Sequence, residues 1–361
     1  MTSLKQRIAG LIAASGPISV SDYMAICLFD PEQGYYTTRQ PFGAAGDFTT
    51  APEVSQMFGE LVAVWLYAAW QAAGRPASPV LAEIGPGRGT LMKDMLRVLK
   101  RLDPAFIAGA SLALIETSPR LRDVQKATLG QSGVEIAWHD SVATLPPAPL
   151  FIVGNELFDA IPTRQFVKLG DAWHERLVGL DDQGDLAFVA GPATIEPALL
   201  PNEAAAAPEG AIFEFAPARS ATMEQIGERI AASGGAGLFL DYGHLAPGIG
   251  DTLQALRRHK YEDVLASPGE ADLTSHVDFV ALAAAARAHG LAAQCATQGA
   301  FLLAMGLLER AGNLGASADE AGREKIRSEV ERIAGPDAMG ELFKVLAVTP
   351  TGTKVPFPIV S

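Results

Sequence analysis

The chain has 361 residues, 48% of them hydrophobic, with a formal net charge of −13 and a pI near 4.9. Such a length exceeds the usual size of one hydrophobic core, so one large domain with insertions, or two domains, is expected. An acidic chain lacks the basic face that a phosphate backbone needs, which argues against a nucleic-acid substrate and favours a basic peptide or protein partner.

No apolar stretch approaches the roughly 20 uninterrupted residues of a membrane span, and Leu61 to Ala73 reads as a buried helix. Cys27 and Cys295 are isolated in apolar contexts and form neither a metal cluster nor a disulfide framework, so no metal is expected and a reducing cytoplasm is the natural setting. Ser3 to Ile12 has helical apolar spacing without the long apolar core of a signal peptide. Lys5 and Arg7, with no early acid, faintly resemble a mitochondrial presequence. The stretch runs straight on into structured sequence and is read as the first helix of the mature protein. Helical spacing returns around Val20 to Leu28 and Val54 to Trp70, separated by a loop rich in Gly, Pro and Thr from Pro31 to Pro52.

The apolar run Pro79 to Ala82 leads into Glu83-Ile84-Gly85-Pro86-Gly87-Arg88-Gly89-Thr90-Leu91. Glycine tolerates positive φ and has no Cβ, so the chain turns sharply there and lets a ligand lie against its backbone before a helix starts. A dinucleotide fingerprint requires a third glycine where this chain has Thr90. The G-x-G-x-G spacing with Glu83 two residues ahead resembles instead the first motif of class I S-adenosylmethionine (SAM) methyltransferases. The resemblance implies that Glu83 lies near the methionine part of the cofactor, whose ammonium is positive, with Gly85, Gly87 and Gly89 closing over the same region.

A second apolar run, Ser111 to Ile115, ends in Glu116, at a strand end where an acid binds the two ribose hydroxyls of adenosine. Ser118-Pro119 then starts a helix. The strand Val134 to Trp138 ends in His139 and Asp140, where such enzymes hold the adenine amine; solvated loop residues explain these two equally well. Further strands near Leu150 and Leu238 and a helix near Arg219 complete an alternation that predicts an α/β fold, a parallel sheet covered on both faces. Between Arg164 and Phe215, alternating stretches broken by Asp182 to Asp185 read as antiparallel hairpins inserted into that core. The tail reads as an Ala-rich helix from Val277 to Ala288, a strand near Leu291 to Cys295, two helices between Phe301 and Ile333, and a final strand from Phe343 to Val348. The expected organisation is an N-terminal helical extension with a lid loop over residues 1–75 and a methyltransferase domain over 76–361. That domain carries the β-rich insertion at about 164–215 and substrate-side segments at about 251–280 and 301–335.

The fourth strand ends in Gly154-Asn155-Glu156-Leu157-Phe158-Asp159-Ala160. Ligands of open α/β sheets lie beyond the carboxyl ends of the strands, so Asn155, Glu156 and Asp159 are expected to face the methyl donor. With Tyr23-Met24 to Pro31, Gly34-Tyr35-Tyr36, Gly46 to Glu53, Leu240-Asp241-Tyr242-Gly243 and Asp272 to Phe279, this string resembles the MidA family. The match runs in order from near residue 20 to near 280; Ala51 stands where a family member has Ser.

That resemblance implies a class I fold with a seven-stranded Rossmann-like sheet, SAM as cofactor and protein arginine N-methylation. The implied partner is a core subunit of respiratory complex I, symmetrically dimethylated during assembly. The implied setting is the bacterial cytoplasm or the mitochondrial matrix, without membrane insertion. For guanidine methylation, carboxylates hold the guanidinium by bidentate pairing and accept the released proton. Glu156, then Asp159, then His276 are preferred for this work, with Asp241 as a further acid at a strand end. Alternatively Asp159 caps a helix after the fourth strand and Glu156 satisfies that helix's backbone, and His276 makes a structural hydrogen bond within its loop. The segment Gly46 to Thr50 is read as a lid over the cofactor. Two other functions stay open: methylation of a small molecule on the same fold, and an assembly protein that binds SAM without transfer.

Overall fold

The alternation of apolar runs with amphipathic segments builds a sheet carrying helices, seen in the computed structural model, which describes residues 2–38 and 50–358. The chain divides into two compact units, each assembled from separated stretches.

The larger unit comprises Thr49–Leu157, Ala221–Leu245 and Val277–Ser361. Its sheet is formed by β1 (Val80–Ile84), β2 (Ser111–Ile115), β3 (Ile136–His139), β4 (Leu150–Asn155), β5 (Gly235–His244), β6 (Leu291–Thr297) and β7 (Phe343–Pro350). These lie in the order β6-β7-β5-β4-β1-β2-β3. The neighbours from β3 through β2, β1 and β4 to β5 are parallel, and β7 runs antiparallel to both β5 and β6. A two-residue strand, Val277–Asp278, adds to β5 in parallel. Successive side chains of a strand point to opposite faces. Leu81, Leu112, Leu114, Phe151, Val153, Leu238 and Leu240 therefore join one cluster with the helices Gln56–Ala72 and Thr90–Leu102. Their neighbours Ala82, Ile152 and Phe239 are buried on the opposite face.

The predicted elements recur with shifted ends. The third strand starts at Ile136 and not at Val134. The Ala-rich helix starts at Phe279, because Val277 and Asp278 pair with β5 and the Asp278 carboxylate caps the helix through the Val280 and Ala281 N–H groups. Four helices, not two, lie between β6 and β7: Gln298–Ala304, Leu307–Gly315, Glu320–Ala334 and the short Met339–Leu342. Gly306, at φ 91°, separates the first two.

The smaller unit comprises Met1–Phe48, Phe158–Ser220 and Ala246–His276. Arg164–Leu169 and Ala172–Leu180 pair antiparallel as the alternation predicts, and Leu186–Thr194 and Ile212–Phe215 extend their sheet. The helices Leu4–Ser15 and Val20–Phe29 bury Leu4, Ile8, Ile12, Tyr23 and Met24 in one cluster with Val178 and Leu273. Ser3 starts the first helix through a reciprocal capping box with Gln6. A small antiparallel sheet of Gln254–Arg257, Lys260–Glu262 and Asp272–Thr274 completes the unit. Among the described residues, no helix is long and apolar enough to cross a membrane.

Candidate cofactor and active site

The glycine turn leaves β1 with Gly85, Gly87 and Gly89 at φ 66°, 51° and 81°, a left-handed region that side chains with a Cβ rarely adopt. Space is short as well: a Cβ at Gly85 would stand 3.1 Å from Leu157 Cδ1, and one at Gly89 would stand 3.3 Å from Leu129 Cδ1. Just ahead, the Glu83 side chain is 3% exposed, and its Oε2 has no hydrogen-bond partner among the described residues. Burial pushes its carboxyl up to about 8, opposed by the Met92 backbone N–H. A buried acid short of a partner suits a cationic ligand, so the turn fits the ammonium end of SAM.

The second acid is held on several sides. Glu116 Oε1 accepts the Ser118 N–H at 2.8 Å, and Oε2 accepts the Gln125 amide at 3.1 Å. Burial raises its pKa, and these bonds, with the Thr117 N–H and the Arg122 charge, work against that rise. Arg122 Nε donates to the Glu116 carbonyl at 2.7 Å, and its Nη2 pairs with Asp140 at 2.6 Å. His139 Nδ1 lies 3.1 Å from Thr144 Oγ1. Register sets Ile84 beside Ile115 and Ile115 beside His139, so Glu83, Glu116, His139 and Asp140 share the carboxyl edge of the sheet.

At the end of β4, Gly154 has Ile84, Leu157 and Phe239 each 3.2 Å from where its Cβ would stand. Asn155 Nδ2 donates to Glu156 Oε1 at 3.1 Å, while its buried Oδ1 has no partner among the described residues. Glu156 adopts φ 50°, and its N–H donates to the Leu240 carbonyl at 2.8 Å. A non-glycine residue in this conformation is held against a local cost, a condition that clusters at functional sites. Asp241 is completely buried in β5, its Oδ1 accepting the Tyr242 N–H at 2.9 Å.

Asp159 and His276 belong to the smaller unit. No helix follows β4: residues 158–161 form a turn closed by the Ile161 N–H on the Phe158 carbonyl at 3.1 Å, and the next element is Arg164–Leu169. The alternative of Asp159 as a helix cap, with Glu156 satisfying that helix's backbone, is therefore overturned. The backbones of both residues meet at Arg219, which sequence reasoning missed. Its Nη2 donates to the Asp159 carbonyl at 3.0 Å and to Ser275 Oγ at 2.6 Å, its Nη1 to the His276 carbonyl at 2.7 Å, and its Nε to the Ile161 carbonyl at 3.0 Å. The His276 N–H donates to Thr252 Oγ1 at 2.9 Å.

Gly46 to Thr49, most of the expected lid, lies outside the described residues; Thr50 is the N-cap of the short helix Ala51–Val54. Tyr35 is fully buried, and the Tyr36 hydroxyl reaches both carboxylate oxygens of Asp272 at 3.1 Å. Gln125 was also missed, although a polar residue between Leu121 and Leu129 on the buried face of the helix Pro119–Leu129 is a visible irregularity.

Comparison with known proteins shows the family of this chain. The model of a family of S-adenosyl-L-methionine-dependent methyltransferases matches residues 61–297. Protein arginine methyltransferase NDUFAF7, mitochondrial, of Danio rerio is 34% identical, covering 97% of this chain and 87% of its own length. The Homo sapiens protein of the same name is 33% identical, covering 97% and 84%. A crystal structure from Burkholderia thailandensis bound to S-adenosyl-homocysteine superposes with a TM-score of 0.83 at 30% identity, covering 98% of this chain and 93% of that one.

Proposed function

Since this chain belongs to the family of SAM-dependent methyltransferases, we propose that its methyl acceptor is an arginine side chain of a protein. The observation that carries the reading is Glu156, a carboxylate fixed in a left-handed backbone conformation at the carboxyl end of β4. The names of relatives that span nearly the whole chain support it, as does the acidic balance of the molecule, which suits a basic partner.

Glu83 would hold the cofactor ammonium, Glu116 the ribose hydroxyls, His139 and Asp140 the adenine, and Asn155 with the backbone of Gly85, Gly87 and Gly89 the methionine end. When bound, SAM supplies an electrophilic methyl on its sulfonium sulfur. The chain must then present a guanidine nitrogen within about 3 Å and with its lone pair aimed at that carbon, which is a problem of positioning. A guanidinium is protonated near pH 7. Glu156 would pair with it bidentately and keep positive charge on the nitrogens that do not attack. Asp159, His276 and Asp241 are the further groups assigned to orient the acceptor and take up its proton.

The family resemblance carries the finer reading, symmetric dimethylation of an arginine in a core subunit of respiratory complex I during assembly. The mitochondrial names of the relatives support a matrix setting for a eukaryotic chain, and the same reading in a bacterium is cytoplasmic.

The test is transfer from SAM bearing a deuterated methyl into the protein extract of cells lacking this chain, read by mass spectrometry, with Glu156→Gln as the comparison. Label on arginine that disappears in the variant is expected. Label confined to small molecules, or to another residue type, would overturn the arginine reading, and no transfer from a chain that binds SAM would favour the assembly role.

A further inference from the structure

Gln125 has no exposed surface, and burying an amide is unfavourable unless its polar atoms find partners. Here all of them do. The Trp138 indole N–H donates to Gln125 Oε1 at 2.9 Å. An indole nitrogen only donates, so this contact fixes which end of the amide is oxygen. The Nε2 group then donates to the Gly87 carbonyl at 2.8 Å and to Glu116 Oε2 at 3.1 Å. One side chain thus ties together the glycine turn, the acid after β2 and the strand that leads into His139 and Asp140.

We propose that Gln125, itself anchored on the Gly87 carbonyl and the Trp138 indole, is the positioning residue for the adenosine half of the cofactor site, locking the Glu116 carboxylate in its receiving geometry before the cofactor arrives. The proposal rests on Glu116 as the ribose acid. A glutamate side chain free to rotate would have to be ordered during binding, and that ordering weakens affinity. With Ser118 on one oxygen and Gln125 on the other, Glu116 is ordered in advance and keeps lone pairs for two hydroxyl donors. Gln125 itself need not touch the ligand.

Calorimetric titration of the full chain with S-adenosyl-homocysteine and with 5′-methylthioadenosine, which keeps the ribose and adenine but lacks the amino-acid end, tests this. The proteins are the wild type, Glu116→Gln, Gln125→Met and the double variant. Gln125→Met is expected to weaken both ligands by the same factor, about tenfold, the loss of one hydrogen bond to a charged group. In the Glu116→Gln background the same substitution is expected to cost less than about twofold, because coupled groups are not additive. An equal cost in both backgrounds, or none in either, would overturn the proposal, since a residue that only fills the core weakens binding regardless of Glu116. Unchanged affinity in Glu116→Gln alone would overturn instead the ribose assignment. Should Gln125→Met fail to fold, Gln125→Leu removes the donor without bringing a second carboxyl to Glu116; wild-type affinity there would equally sink the idea.

Discussion

Arg219 Nη2 donates to the Asp159 carbonyl at 3.0 Å, while its Nη1 donates to the His276 carbonyl at 2.7 Å. A guanidinium only 3% exposed thus fastens two backbone segments more than a hundred residues apart in sequence. Arg219→Met leaves those buried carbonyls short of donors and is expected to cost about 2–4 kcal/mol in urea unfolding. Cofactor affinity, proposed to rest on Glu83, the glycine turn and Glu116, is expected to persist, while methyl transfer falls through the loss of the Asp159 and His276 positions. Wild-type transfer in a folded Arg219→Met would remove both residues from the proposed acceptor machinery.

Two glycines separate backbone strain from ligand contact. Gly87 and Gly170 both hold left-handed φ, at 51° and 59°, but only Gly87 belongs to the turn proposed to receive the cofactor. Valine at either position is expected to lower stability by about 1–2 kcal/mol. Gly87→Val should also abolish SAM binding, and Gly170→Val should leave it intact. Calorimetric titration of both variants decides this; intact binding in Gly87→Val would move the site elsewhere.

The Glu83 carboxyl, raised to about 8 from its ordinary 4.5, has a pH signature of definite sign. Between about pH 4.5 and 8 the folded state binds more protons than the unfolded one, so stability falls as pH rises through that window. Across it the loss is on the order of several kcal/mol, and Glu83→Gln is expected to flatten the slope. A bound ammonium favours the carboxylate, so SAM binding near pH 7 should release a proton. Binding enthalpies in buffers of different ionisation heat measure that release, and a buffer-independent enthalpy would contradict it.

Glu156 at φ 50° sets stability against activity. Glu156→Gly relieves the left-handed strain and is expected to stabilise the fold by about 1 kcal/mol while abolishing methyl transfer. A thermal melt and a transfer assay on one sample check both halves.

The sheet was legible because its strands are short apolar runs, each followed by turn chemistry, and the glycine turn announced its own backbone. The ends of elements were harder. Val277 opens an Ala-rich stretch and so reads as helix, yet its backbone pairs with Gly243 of β5, and nothing local reports a partner that far away in sequence. The Asp278 cap was a readable boundary that the run of alanines masked. Gln125 and Arg219 escaped for a related reason. Their partners are mostly backbone carbonyls, which carry no residue signature, brought close only by the tertiary fold. Tyr35 and Tyr36 carry no local signal of their surroundings either: the first is fully buried and the second bonds the Asp272 carboxylate, far away in sequence.

β7 lies between β5 and β6 although it follows both in sequence. On the ribosome, β5 and β6 emerge with a strand-wide gap that no earlier segment fills. Until Phe343–Pro350 leaves the exit tunnel, the fully apolar stretch Leu238–Leu240 presents an open edge in a nascent chain already able to form β1 to β4. A chain in which β7 is missing or late therefore carries an unpaired apolar edge on β5, an aggregation hazard more than a trimmed enzyme.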